Sequence, residues 1–157
     1  MSDSFLSNTT YRIRIDSLAD CANNFSVDRN YADFGLSEKA DSNDLHINEV
    51  LFNPSSSGAD FVEICNSSNK FIDLKGYLIC NTDERDSINQ FNAFGTDYWQ
   101  VHPKQFIVLT DSKDKIMSNH SVAFPDQIIE VKIMPSYNDD VGTVCIVTGK
   151  QIGRAHV

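Results

Sequence analysis

Two glutamates, Glu49 and Glu63, are the side chains of this 157-residue chain whose type and setting first suggest chemistry. Each stands inside a run that otherwise resembles a β-strand, HINEVLF and ADFVEICN. Two carboxylates held close together can serve as general acid and general base. The alternative is structural: each accepts hydrogen bonds from loop amides or faces solvent at a sheet edge. We predict the structural role for both glutamates, no catalytic residue, and no enzymatic activity in this chain.

Other residues that could bind metals lack partners at the required spacing. His46, His102 and His120 are scattered along the chain, so no metal site is predicted from them. The oxygen-rich stretches NTDERD (81–86) and NDD (138–140) raise the alternative of calcium, although neither has the spacing of an EF-hand loop. We therefore predict no cofactor and leave calcium as the open alternative.

The cysteines and the glycosylation triplets leave several alternatives open. No C-x-x-C pair occurs, which argues against zinc or a thioredoxin-type motif. Two disulfides in any of three pairings stay open, and buried thiols are the interpretation we favour. The triplets NTT (8–10) and NSS (66–68) match the sequon for asparagine glycosylation. The four cysteines are Cys21, Cys65, Cys80 and Cys145.

Aromatic residues cluster in a long predicted loop, residues 83–104. Tyr98 and Trp99, with Phe91, Phe94 and Phe106 nearby, could form a platform for a sugar, because loops on a rigid scaffold often carry binding residues. Filling of the core is the alternative use of these rings. Phe94, Tyr98 and Trp99 are the predicted binding residues.

Short strand-like runs separated by turn residues dominate the chain. YRIRI (11–15) alternates with a period of two, whereas QFIVLT has the continuous apolar run FIVL, as expected for a strand covered on both faces. The segment 111–119 carries a weak helical pattern, with Asp111 or Ser112 as its cap. Many short strands without alternating helices predict an all-β sandwich or barrel. The further strand candidates are HINEVLF (46–52), ADFVEICN (59–66), FIDL (71–74), YLICN (77–81), QFIVLT (105–110), QIIEVKIM (127–134) and TVCIV (143–147).

Composition limits the classes of partner. The chain has 22 Asp and Glu against 13 Lys and Arg, and no basic stripe, so nucleic acid is not predicted as a partner. No run approaches the roughly 20 apolar residues of a membrane helix. The first twenty residues lack a basic start followed by an apolar core, so no signal peptide is predicted.

The predicted turns use residues with specific backbone properties. Asn53 and Pro54 should end the first strand, because proline fixes φ and cannot donate to a strand ladder. Asp73 can accept backbone N–H bonds at the corner that Gly76 allows. The run NDDVG should form the turn before the last strand. The predicted structural residues are Glu49, Asn53, Pro54, Glu63, Asp73, Gly76, Asn138 and Gly142.

Three blocks of the sequence resemble the lamin tail domain family in its bacterial secreted form. They are INEVLFNPSSSGADFVEICNSSNKFIDLKGYLIC, HPKQFIVLTDS and MPSYNDDVGTVCIV, in the order that the family shows. Members typically have an I-x-E-V…N-P opening, a D-F/W-V-E-I-Y-N strand and a D-L-x-G-W-x-L corner. The chain departs from this pattern at Cys65, Tyr77, Lys104 and Thr143, where the family usually has Tyr, Trp, Gly and Asp.

The resemblance implies an immunoglobulin-like β-sandwich that is non-catalytic. It implies an interaction or spacer module of a larger multidomain bacterial protein, secreted or at the cell surface. Partners would be protein or carbohydrate at that surface, together with neighbouring domains of the same parent chain. The alternative is an accessory domain of a secreted nuclease or phosphatase whose catalytic domain lies outside this chain.

The predicted domain organisation has four parts. Residues 1–36 resemble the closing strands of a preceding Ig-like domain, 37–44 lack apolar periodicity and are predicted to be a linker, and 45–149 form the sandwich. Residues 150–157 are predicted to be a non-native tail, because IGRAHV can be encoded by a string similar to a sequencing-library adapter. A sandwich that lacks its last strand in this way would leave a neighbouring strand unpaired.

Overall fold

The computed structural model describes residues 4–16, 18–25, 31–95, 98–137 and 142–148, and the backbone of 151–156. Its elements are almost all strands, which confirms the predicted all-β class. In the described residues no helix is long and apolar enough to cross a bilayer. The elements are β1 (Tyr11–Arg14), β2 (Tyr31–Phe34), β3 (Ser37–Glu38), β4 (Leu45–Leu51), β5 (Phe61–Asn66), β6 (Phe71–Asp73), β7 (Leu78–Thr82), β8 (Ile88–Ala93), β9 (Gln100–Val101), β10 (Phe106–Thr110), α1 (Lys113–Asn119), a 3₁₀ turn (Pro125–Gln127), β11 (Ile128–Glu130), β12 (Thr143–Thr148) and β13 (Gln151–His156).

Two four-stranded sheets share one apolar core and form the sandwich. The first sheet has the order β11-β10-β5-β4, and the second has the order β13-β12-β7-β8. Ile64 and Ile107 from the first sheet and Ile79 from the second are fully buried in the same cluster. A short third sheet, β3-β6-β9, adds Ile72 and Val101 to that core. Burial of these side chains is the main stabilising contribution to the fold.

A bulge in β4 decides which of its side chains face the core. The register with β5 shifts between Ile47 and Glu49, so that Ile47 pairs with Ile64 and Glu49 pairs with Glu63. An extra residue in one strand reverses the alternation beyond it. Ile47 and Val50 therefore both pack against the core, and Glu49 is exposed on the opposite face.

The outer face of the first sheet is partly covered by α1 and the loop that follows it. Ile116 of α1 is 4% exposed and clusters with Ala59 and Ile128, and Phe61 and Val108 pack against this second, smaller core. The apolar run of β10 thus faces the main core on one side and this small cluster on the other. The weak helical pattern is confirmed: α1 begins after Ser112, whose side chain makes no capping hydrogen bond.

The N-terminal segment forms a hairpin with little apolar burial. β1 pairs antiparallel with β2, and the rings of Phe5, Tyr11 and Phe34 contact one another. Ile13 is 54% exposed and Tyr31 is 50% exposed, although both lie in regular strands. The alternation of YRIRI therefore predicts the strand correctly, while the described residues place no second layer over its apolar face.

The segment predicted to be a linker is instead attached to the sandwich. Ser37–Glu38 form β3 and pair in parallel with β6. Lys70 donates to Asp41 at 2.5 Å and to Asp44 at 2.7 Å, and these hydrogen bonds raise the pKa of Lys70. Backbone pairing and ion pairs need no apolar periodicity, which is why the sequence pattern missed them.

Gln100 joins the N-terminal segment to the third sheet. Its Nε2 donates to the carbonyl of Gly35 at 2.9 Å, and its Oε1 accepts the N–H of Gly35 at 3.2 Å. The side-chain amide thereby pairs with both backbone groups of Gly35, as a neighbouring strand would. Gly35 lies so close to the ring of Phe71 that an added Cβ would fall 2.1 Å from it.

Two other expectations about strands are wrong. The long loop predicted over 83–104 contains β8 and β9, which pair with β7 and β6. The sequence predicts that the tail 150–157 leaves a neighbouring strand unpaired. Instead, the backbone of Gln151–His156 forms β13 and pairs with β12 along its whole length. An antiparallel strand pairs through backbone N–H and C=O groups. The residue types of these two segments therefore did not predict their pairing.

Candidate functional site

The predicted aromatic platform of Phe94, Tyr98 and Trp99 is not brought together on the surface. Phe94 is 3% exposed and packs in the main core, with its ring centre 6.1 Å from that of Tyr77. Trp99 is partly buried against the same core. Tyr98 is 61% exposed, and its hydroxyl lies 2.8 Å from both Ser37 Oγ and Gln100 Nε2. Only Tyr98 of the three therefore presents most of its ring to a ligand.

The predicted turn residues take part in tight corners. Asp73 Oδ1 accepts the backbone N–H of Lys75 at 2.9 Å, and Gly76 has a φ of 83°, in the region that favours glycine. Pro54 packs so closely on Gly58 that an added Cβ at Gly58 would lie 2.7 Å from it.

The remaining structural residues are placed as follows. Asn53 is exposed in the bend after β4, and Gly142 lies directly before β12. Asn138 lies outside the described residues.

Glu49 and Glu63 face each other on the outer side of the first sheet. They are direct partners in the antiparallel pair of β4 and β5. Asn48 Nδ2 donates to Glu63 Oε1 at 2.7 Å. Side chains paired in this way have Cβ atoms roughly 4.5–5.5 Å apart, and like charges there repel. The two carboxylates therefore sit together at the surface, not in a buried catalytic pocket.

Apolar side chains continue the same face beside these carboxylates. Phe61 lies two residues before Glu63 on β5, and Val108 is the partner of Glu63 on β10. Phe106, on the same face of β10, is 42% exposed. Binding sites are typically apolar, with a few polar groups that orient the ligand. The apolar floor next to the paired carboxylates has this composition.

The segment after α1 forms the wall of this surface. The ring of His120 meets the ring of Phe61 edge-on, with 5.7 Å between the ring centres. Phe124 is 60% exposed. Together the floor and wall enclose an open cleft of about 320 Å³. We call this cleft the outer groove; its main lining residues are Glu49, Phe61, Glu63, Phe106, Val108 and Phe124.

A second, polar depression lies at the acidic loop between β7 and β8. It measures about 680 Å³ and is lined by Asp83, Glu84, Asp86 and residues of neighbouring strands and loops. Asp83 Oδ1 accepts the N–H groups of Arg85 and Ser87, both at 2.9 Å, so this carboxylate caps its own loop. Within the described ranges, no three His, Cys, Asp or Glu side chains are grouped to hold a metal ion.

The buried amide of Asn66 acts in the framework of the sandwich. Asn66 is fully buried, and its Nδ2 donates to the carbonyls of Lys70 at 2.8 Å and His102 at 2.9 Å. Its Oδ1 accepts the hydroxyl of Ser68 at 2.7 Å. Asn66 is therefore not accessible as a glycosylation site in the folded chain, although its triplet matches the sequon.

The cysteines differ in burial: Cys80 and Cys145 are buried, as favoured from the sequence, whereas Cys65 is half-buried and Cys21 is exposed. All four cysteines lie in the described part of the chain, and none is in a disulfide. Burial, reinforced by the charge of Glu63, raises the pKa of the Cys65 thiol, while Lys104 opposes this change. Burial lowers the pKa of His102, whose ring lies 5.0 Å from that of Phe71.

Sequence reasoning missed the outer groove although part of it is visible in the pattern. In ADFVEICN, Phe61 and Glu63 share one face, so an aromatic ring accompanies the carboxylate on the side away from Val62 and Ile64. Phe106 joins them only through the pairing of β10 with β5, which no local pattern specifies.

Comparison with known proteins adds one finding to this geometry. The lamin tail domain family model matches residues 38–147, which cover well over half of the chain. The match begins in β3 and ends in β12, and it confirms the resemblance to the lamin tail domain family and the Ig-like fold that this family implies. No curated protein matches the chain.

Proposed function

Because the chain belongs to the lamin tail domain family, we propose that it is a non-catalytic interaction module whose ligand surface is the outer groove. The family supplies the Ig-like scaffold, and function in such scaffolds lies in sites placed on it. The observation that carries the proposal is the exposure of Phe106 and Phe124 beside the carboxylates of Glu49 and Glu63. Large exposed rings that line one cleft are typical of interaction sites.

The setting of the module is also part of the proposal. We infer a place in a larger multidomain bacterial protein, secreted or at the cell surface, where neighbouring domains position the groove. This rests on the form of the family that the sequence blocks resemble. The coding sequence next to this chain tests it: further Ig-like domains support the spacer and adhesion role. A neighbouring domain rich in metal ligands would instead indicate the accessory domain of a secreted enzyme.

Selection of random peptides on phage against the purified chain tests the groove directly. We expect the enriched peptides to lose at least tenfold in affinity when Phe106 and Phe124 are both replaced by serine. A tenfold loss corresponds to about 1.4 kcal/mol, less than the roughly 2 kcal/mol that defines a single hot-spot residue. Both rings are exposed, so the variant should keep its fold, which circular dichroism checks.

A matched control uses the other sheet. Phe91 of β8 is 62% exposed, close to the exposure of Phe124, and lies outside the groove. Phe91→Ser should leave the affinity of the same peptides unchanged. The proposal is refuted if the peptides bind the groove variant and the original chain with equal affinity and lose affinity on Phe91→Ser. The ligand surface would then lie outside the groove.

A further inference from the structure

Among the residues that the structure describes, no lysine or arginine pairs with the two carboxylates of the outer groove. Among the described residues, the ion pairs of Lys and Arg involve Arg12, Arg14 and Lys70, and none of these three lines the outer groove. Lys104 is near enough to Cys65 to affect its pKa, but its ammonium donates to the carbonyl of Ser67. The Glu49–Glu63 pair thus carries two adjacent negative charges in a chain whose net charge is −9.

The neighbours of this pair restrict the chemistry of a complementary ligand. A calcium ion takes six to eight oxygen ligands, and the described residues offer no group of three acidic, histidine or cysteine side chains at this place. An anion would be repelled. The apolar floor of Phe61 and Val108 continues directly from Glu63, so a ligand that fills the groove must be apolar beside its positive charge.

Resting on the proposed function, we propose that the outer groove binds a protein segment in which an arginine is flanked by apolar side chains. A guanidinium is planar and offers five donors, so it can hydrogen-bond both carboxylates of a cross-strand pair at once. The rings of Phe61 and Phe106 lie within reach of the same position, and aromatic faces attract guanidinium groups. The apolar flanking residues would cover Val108 and pack against Phe124.

The arginine in this proposal supplies orientation as well as affinity. Glu63 is held in place by the amide of Asn48, whereas Glu49 makes no hydrogen bond that the described residues show. A guanidinium can bind one carboxylate that is already fixed and one that can still adjust. Little conformational freedom is then lost at the fixed carboxylate. Lysine, a compact point charge, would satisfy the pair with less geometric selectivity.

Synthetic tetrapeptides test the proposal. The probe is acetyl-Leu-Arg-Phe-Leu-amide, and the comparison peptides carry citrulline or lysine in place of arginine. Citrulline keeps the shape of arginine but has no charge. NMR titration of the full chain should show shifts at Phe61, Phe106 and Val108, with binding about tenfold weaker for the citrulline peptide and intermediate for lysine. Raising the salt concentration should reduce the preference for arginine.

Variants of the two carboxylates, measured with the arginine and citrulline peptides, complete a double-mutant cycle. The double variant Glu49→Gln with Glu63→Gln should bind the arginine and citrulline peptides equally, because charge pairing is what separates them. Its Tm should be unchanged or higher, since repulsion across the strands is removed. Glu84→Gln, an exposed carboxylate of the polar depression, is the control and should change nothing.

The outcomes separate this proposal from the proposed function. If the arginine and citrulline peptides bind the groove equally, or if the glutamine variant keeps the preference, the arginine proposal is wrong and the groove remains a binding surface. If none of the three peptides shifts the groove signals, the arginine proposal is also wrong. The phage selection then decides, independently, whether the groove binds any peptide.

Discussion

The sandwich and the N-terminal hairpin are built from strands with similar alternation but very different burial. Ile64 in FVEIC is fully buried, whereas Ile13 in YRIRI is 54% exposed. Both runs satisfy the same period-two pattern, so the pattern determines the strand and not its environment. Burial requires a second layer, which the second sheet provides for Ile64 and which the described residues do not provide for Ile13.

The junction between these regions is tight although the hairpin itself is open. Gly35 is buried against Phe71, and Gln100 pairs with both backbone groups of Gly35. The hairpin is therefore attached at one end by specific contacts, while its apolar face is left exposed. This arrangement predicts that mutations will have large effects in the sandwich, intermediate effects at the junction and small effects in the hairpin.

The same substitution in the two regions should give the largest contrast. Ile64→Ala removes a fully buried side chain and leaves a cavity, so we expect the free energy of unfolding to fall by about 2–5 kcal/mol. Ile13→Ala should change it by less than about 0.5 kcal/mol, because the side chain is half exposed in the folded state. Chemical denaturation of both variants measures the difference. Equal losses would show that the hairpin is covered in solution.

A matched pair of asparagines tests the polar contacts of the two regions. Asn66→Asp replaces a buried amide that donates to two carbonyls by a carboxylate with no donor, and we expect a loss of about 2–4 kcal/mol at neutral pH. Asn24 donates to Asp20 at 2.8 Å but is exposed, so Asn24→Asp should cost less than about 1 kcal/mol. Thermal and urea unfolding measure both. A small loss at Asn66 would mean that water reaches its amide.

The junction should show an effect of intermediate size. Gly35→Ala places a methyl group where the ring of Phe71 lies, so either the ring or the backbone must move, at a cost of about 1–3 kcal/mol. We also expect faster proteolytic cleavage N-terminal to residue 37, because the contact with Gln100 weakens. Leu36→Ala, next in the chain and exposed, is the control for both measurements. Unchanged stability and cleavage would show that the hairpin is not docked through Gly35.

Most strands could be predicted from sequence because their patterns are local. The seven runs after residue 45 all contain strands, and QIIEVKIM fails only in its second half, since β11 ends at Glu130. β8 was missed because INQFNA is a largely polar edge strand, whose backbone pairing with β7 needs no apolar alternation. β3 was missed because a two-residue strand has no detectable period.

The outer groove was harder to predict because it depends on register between distant strands. The bulge in β4 turns Glu49 outwards, and the pairing of β10 with β5 places Phe106 beside the resulting carboxylate pair. Neither feature has a local sequence pattern. Phe94, by contrast, was selected for its neighbours in sequence, but the chain directs its ring into the core.

The smallest expected effect concerns one electrostatic contact between the two regions. Burial lowers the pKa of His102 in the sandwich, and the charge of Asp33 in the hairpin acts in the opposite direction. The hydrogen bond from Arg12 lowers the pKa of Asp33, so Asp33 stays charged while His102 titrates. Asp33→Asn should therefore lower the pKa of His102 further, and NMR titration of its ring protons measures the change.

The sign of the accompanying change in stability follows from the same pKa. The folded pKa of His102 lies below its ordinary value of 6.5, so the unfolded chain binds more protons on the acid side. Its contribution is fully present above pH 6.5 and is lost as the pH falls through the folded pKa. Asp33→Asn should make this loss steeper, whereas Asp16→Asn, whose carboxylate pairs with Arg14, should not. If neither variant changes the titration of His102, the hairpin does not hold Asp33 near the sandwich in solution.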